Sequence, residues 1–157
     1  MAAYYTSQAY DAPASHVWSI LTDFAAWPRW FPGVSAIRFE DGDRTPRHGT
    51  QLIALGDSPD VWTRWEIVDW TAPHRLLCEH IDSNSTMSNQ VQAAYLQFEL
   101  VDDPDGCTVE VEIGADGHGI VGDFFVGMTL GSEVRRMLPR IIDAFSDYVV
   151  VRSAETT

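Results

Sequence analysis

Phe24, Trp27, Trp30 and Phe31 fall in one short segment, DFAAWPRWFPGV, that also carries Pro28, Pro32 and Gly33. The chemistry on offer is that of flat, rigid faces, each able to stack on an aromatic or polycyclic guest for ~0.5–1.5 kcal/mol beyond the area it buries. Plain packing is the competing use of each ring taken singly, because most buried rings are simply core. His80, two residues beyond Cys78, is a candidate proton donor or acceptor near neutral pH should its neutral imidazole face a cavity. A hydrogen-bonded structural histidine is the plainer alternative. His118 lies in GADGHGIVGD, where an exposed loop histidine is the ordinary reading. His16, His48 and His74 fall in a helix start and two turns. None of the histidines makes an HxxxH or HxxE spacing, so no metal is expected.

The remaining reactive types point to structure more than to chemistry. Cys78 and Cys107 have no CxxC or Cys/His spacing and read as small buried residues. Asp41, Asp43, Asp102, Asp103 and Asp105 sit in turns, where aspartate is favoured for its backbone hydrogen bonds. Asn84-Ser85-Thr86 matches a glycosylation sequon but follows no secretory signal. There is no nucleophile elbow, phosphate-binding glycine loop or dinucleotide fingerprint, and no cofactor is expected. A net charge of −13 over 157 residues repels phosphate backbones and anionic membranes, which argues against nucleic acid as a partner. No apolar run approaches the ~20 residues that span a bilayer, and the chain reads as cytoplasmic.

The elements that must position these residues follow an α+β order. AYYTSQAYD reads as a strand, and Pro13 suits the first turn of a helix carrying Val17, Trp18, Ile20 and Leu21. A shorter helix starts around Pro28 and stops before Pro32-Gly33. From Val34 the pattern becomes period-two with turn punctuation, giving about six strands. Parity points Leu96, Phe98 and Leu100 inward, and likewise Val109, Val111 and Ile113. In VWTRWEIVDW one face holds Thr63, Trp65 and Ile67, and the other holds Trp62, Arg64, Glu66, Val68 and Trp70. The first face is favoured inward, since the second would bury Arg64 and Glu66. An Arg64–Glu66 pair inside a polar pocket is the sharper alternative. Val134, Met137, Leu138, Ile141, Ile142, Phe145 and Val149 mark a long amphipathic helix. Gly127 and Gly131 ahead of it either leave room for a ligand or mark a broken first turn, and Phe124 and Met128 supply adaptable apolar surface nearby. One domain over 1–152 is expected, with a frayed tail at 153–157.

This order, with APASHVWSILTDFAAWPRWFPGV near the start and WEIVDWTAPHRL in the middle, resembles the START-like superfamily, also called Bet v 1-like or SRPBCC, and within it the polyketide cyclase/dehydrase type. The alanine-proline helix entry and the W-x-x-W-x-P-G-V run are its most specific parts. The resemblance implies a helix-grip fold, a curved seven-stranded antiparallel sheet with two short helices and a long C-terminal helix over an apolar cavity. The cavity is what such domains share; a reaction is not. The expected role is binding of an apolar or aromatic small molecule. Alternatives are a polyketide aromatase/cyclase and a protein-interaction module, and a homodimer is left open. The candidate ligand-binding set is Trp27, Trp30, Phe31, Trp65, Ile67 and His80, with Leu96, Phe98, Val111, Ile113, Phe124 and Met128. The resembling aromatase/cyclases place an arginine where this chain has Val68 or Asp69 and a tyrosine where it has Val34. Arg64, Tyr95 and His80 are the residues left to form a different polar set.

Overall fold

A computed structural model describes residues 2–40, 42, 45–56, 60–84, 91–117 and 131–155. Strand β1 (Ala2–Tyr10) leads through Pro13 into α1 (Ala14–Leu21) and a 3-10 helix (Phe24–Arg29). Six strands follow: β2 (Ala36–Phe39), β3 (Gln51–Leu55), β4 (Trp62–Thr71), β5 (Arg75–Ser83), β6 (Val91–Asp103) and β7 (Gly106–Gly117). The long helix α2 (Gly131–Glu155) comes last. All seven strands form one sheet in the order β1-β7-β6-β5-β4-β3-β2. Every pairing in it is antiparallel. The seven-stranded helix-grip architecture expected from the sequence is therefore present.

Local sequence accounts for the parts that shape the interior. Pro13 precedes α1 as its N-cap residue in an extended conformation, which suits a residue without an N–H. The segment after α1 tightens into 3-10 turns that begin at Phe24, earlier than the expected start at Pro28, and Pro28 lies inside them. The 3-10 spacing brings Trp27 and Trp30 onto one side, with ring centroids 4.9 Å apart. Gly33 turns the chain into β2 at a φ of +78°, a conformation open mainly to glycine. In α2, Leu138, Ile141, Ile142, Phe145, Tyr148 and Val149 are buried. They follow the three- and four-residue steps of an apolar stripe facing the sheet.

The parity expectations hold in β6 and β7, where Leu96, Phe98, Leu100, Val109 and Val111 are buried. In β4 the first face, Thr63, Trp65 and Ile67, is the inward one, but the second face needs a correction. The register shifts between Ile67 and Asp69, so Val68 has no partner opposite it and Trp70 comes to face Leu76. This bulge moves Trp70 from the expected solvent face to the inner one, where its ring meets Trp18 edge-on at 5.0 Å. One other expectation also shifts. Helix α2 runs through Glu155, past the point where a frayed tail was expected to begin, and it is described from Gly131 onward. Phe124, Met128, His118 and Gly127 lie outside the described residues.

The far end of α2 is tied to the start of the chain. Arg152 Nη1 donates to Asp23 Oδ2 at 3.2 Å and to the Tyr148 hydroxyl at 2.9 Å. His16 Nε2 and Ser153 Oγ are 2.9 Å apart. Arg29 and Arg152 both approach the Tyr148 ring, with guanidinium carbons 5.2 and 5.7 Å from its centroid.

Candidate functional site

Between the 3-10 segment, the inner face of the sheet and α2 lies a cavity of about 290 Å³. One wall comes from Phe24, Trp27 and Phe31 and from the turn Pro32, Gly33 and Val34. Ile37, Leu52 and Ala54 contribute from β2 and β3, Thr63 and Trp65 from β4, Cys78 from β5 and Leu96 from β6, while Met137 reaches in from α2. The inward parity of consecutive strands explains the set: Leu52 pairs with Trp65, Ala54 with Thr63, and Cys78 with Leu96.

The aromatic wall is held rigidly. Trp27 stacks on Phe31 with centroids 5.2 Å apart and planes 12° from parallel. Behind it, Phe98 meets Trp27 edge-on at 5.8 Å, and Trp30 bridges to Phe145 of α2 at 4.8 Å. The Trp27 indole N–H donates to Leu21 O at 2.8 Å. That bond orients the ring and also satisfies a carbonyl at the end of α1 that has no helical partner. Trp30 Nε1, by contrast, is buried without a hydrogen-bond partner among the described residues.

On the opposite wall, Trp65 Nε1 donates to Thr63 Oγ1 at 2.8 Å. The Trp65 ring packs edge-on against His80 at 5.2 Å. Burial lowers the His80 pKa below its ordinary value, partly offset by the charge of Asp82, so the neutral imidazole is favoured. Burial pushes the Cys78 thiol up to about 12, which keeps it protonated and unreactive at neutral pH.

Of the residues singled out from the sequence, Trp27, Phe31, Trp65 and Leu96 line the cavity together. Trp30, Ile67, Phe98 and Val111 are buried in the core and do not line the cavity. His80 stands against Trp65, and Ile113 is half-buried at the edge of the core. Thr63, Cys78, Leu52, Ala54 and Val34 line the cavity but were not in the candidate set. The period-two pattern of TQLIAL and the inward face of β4 carried the signal for Leu52, Ala54 and Thr63.

The alternative polar set does not converge. Arg64 pairs with Asp82 at 2.9 Å and with Glu40 at 3.5 Å. The Tyr95 hydroxyl donates to Glu112 at 3.0 Å. Both side chains lie on the sheet face away from α2, since Trp65 and Leu96 next to them point inward. Asp69 pairs with Arg75 at 3.4 Å. Among the described residues no group of three or more histidine, cysteine, aspartate or glutamate side chains is arranged to hold a metal. No helix among them is long and apolar enough to cross a membrane.

A curved seven-stranded antiparallel sheet gripping one long helix, with an apolar cavity beneath two short helices, defines the Bet v 1-like helix-grip class. The chain belongs to the polyketide cyclase / dehydrase and lipid transport family, whose profile matches residues 1–150. Among solved structures it resembles a norcoclaurine synthase point mutant from Thalictrum flavum in complex with a transition-state analogue. The TM-score is 0.70 at 14% identity, over 97% of this chain and 96% of that one. It also resembles Ara h 8.0201, with a TM-score of 0.71 at 12% identity over 96% and 98% of the two chains. A third is StfQ, the di-domain ARO/CYC from the steffimycin biosynthetic pathway, with a TM-score of 0.69 at 12% identity over 94% of this chain and 48% of that one. At these identities the likeness is one of fold. No curated protein matches the chain in sequence.

Proposed function

We propose that this protein binds one small apolar or aromatic molecule in the cavity between its sheet and α2, as a carrier or sequestering protein. The observation that carries this reading is a cavity of about 290 Å³ walled almost wholly by apolar and aromatic side chains. At ~30 Å³ for each water-sized unit, that space suits a guest of about ten non-hydrogen atoms, one or two rings in size. Burial at ~25 cal/mol per Å² supplies the driving force, and the fixed Trp27–Phe31 stack supplies a flat surface without an ordering cost on binding.

The polyketide cyclase activity in the family's name requires general acids and bases beside the substrate. The side chains described in this wall offer a hydroxyl and a protonated thiol, while Arg64 and Tyr95 are engaged on the other face. A folded polyketone chain also exceeds a one- or two-ring volume. Both points support binding without chemistry over cyclisation.

Native mass spectrometry of protein purified from its own source tests the proposal by asking whether a small molecule is retained. A recombinant test uses 2-naphthol followed by tryptophan fluorescence. Ala54→Phe fills the cavity from β3, so 2-naphthol binding is expected to fall at least about tenfold with the melting temperature unchanged or raised. Unaltered 2-naphthol affinity in a folded Ala54→Phe protein would show that the guest sits elsewhere.

A further inference from the structure

Hydrogen bonds already made within the cavity wall decide which polar atoms are left for a guest. The Trp27 N–H is committed to Leu21 O. The Cys78 thiol is a weak donor. In the 2.8 Å contact between Trp65 Nε1 and Thr63 Oγ1 the roles are fixed, because an indole nitrogen only donates. The Thr63 oxygen is therefore the acceptor, and its own hydrogen is directed away from Trp65. That hydroxyl hydrogen has no acceptor among the described residues. Thr63 and Trp65 stand two apart on one face of β4 and both line the cavity, so the bond joining them lies in the wall. Trp65 is itself held in place by the edge-on contact with His80.

We propose that the Thr63 hydroxyl is the specificity-determining donor of this cavity, and that the molecule bound there is a neutral one- or two-ring compound bearing a carbonyl or ether oxygen. The inference rests on the reading of the cavity as a small-molecule site. An acceptor oxygen placed against Thr63 completes a bond that no described protein group supplies, whereas a hydrocarbon leaves the donor buried and unmet. A carboxylate or phosphate is disfavoured, because the described lining holds no cation and the chain carries a net charge of −13.

The experiment compares the ketone 1-tetralone with its hydrocarbon counterpart tetralin. Affinities come from tryptophan fluorescence, and the carbonyl stretch of bound 1-tetralone comes from infrared difference spectra. Thr63→Val, which keeps the branched shape, is expected to weaken 1-tetralone by about five- to tenfold and to leave tetralin within about twofold. In that variant the carbonyl stretch moves to its frequency in an apolar solvent, and Thr63→Ser restores both affinity and frequency. Equal effects of Thr63→Val on the two probes, or an unchanged stretch, would overturn the role of the hydroxyl while leaving the cavity reading intact. Failure of both probes to bind the wild-type protein would overturn the cavity reading and this inference together.

Discussion

Trp27 and Trp30 are 5% and 4% exposed, yet their indole N–H groups meet different fates. Trp27 donates to the end of α1, while Trp30 buries the same group with nothing among the described residues to receive it. A buried donor left unmet costs about 1–3 kcal/mol, and so does a buried acceptor that loses its donor. Trp27→Phe strands the Leu21 carbonyl, whereas Trp30→Phe removes an N–H that was never paired. Urea unfolding is therefore expected to show Trp27→Phe more destabilising than Trp30→Phe by about 2–6 kcal/mol, despite equal loss of ring volume. Equal costs would mean that packing alone fixes both rings. The sequence made this cluster visible through its density of rings. It did not distinguish Trp27 in the cavity wall from Trp30 behind it, because that depends on where α2 lies, through Phe145, more than a hundred residues away.

At the level of the strand, one residue decides which tryptophans face inward. Strict alternation along β4 places Trp65 and Ile67 inside and Trp70 outside. The unpartnered Val68 turns Asp69 to the outer face opposite Leu77 and lets Trp70 reach Trp18. Alternation was legible in β6 and β7, whose pairing runs unbroken from Ala93 to Asp103. It was not legible here, because a bulge is set by the partner strand and by the twist of the sheet. Deleting Val68 removes the bulge without changing any other partnership in β4. The variant is expected to fold, with a near-native near-UV circular dichroism spectrum and only a modest loss of stability. Deleting Gln97 from the unbroken β6 turns Phe98 and Leu100 to the wrong face and is expected to abolish soluble folded protein. A folded Gln97 deletion, or an unfolded Val68 deletion, would contradict this account of the register.

For the molecule as a whole, the helix-grip order follows from a single sheet whose inner face, among the described residues, is covered by α2 and the two short helices. The element order was legible because turn residues punctuate it so regularly. The cavity was an expectation from the resemblance, and its size and lining depend on how far α2 and the 3-10 segment stand from the sheet, a distance that no pattern of residues states. The chain's first strand, β1, lies at one edge and pairs with β7, Tyr10 opposite Cys107 and Thr6 opposite Val111. During synthesis at ~5–20 residues per second, β1 therefore waits on the order of 5–20 s for its only described neighbour in the sheet. A strand kept waiting is exposed to pairing with other chains, and the polar side chains of Ser7 and Gln8, both exposed in the folded protein, keep this stretch of the edge less apolar than valine would. Replacing both with valine is expected to leave the melting temperature nearly unchanged and to lower the soluble yield, measured as the soluble fraction after cell-free translation. Solubility, on this view, is guarded by residues that contribute little to the finished fold, because their service is over once β7 arrives.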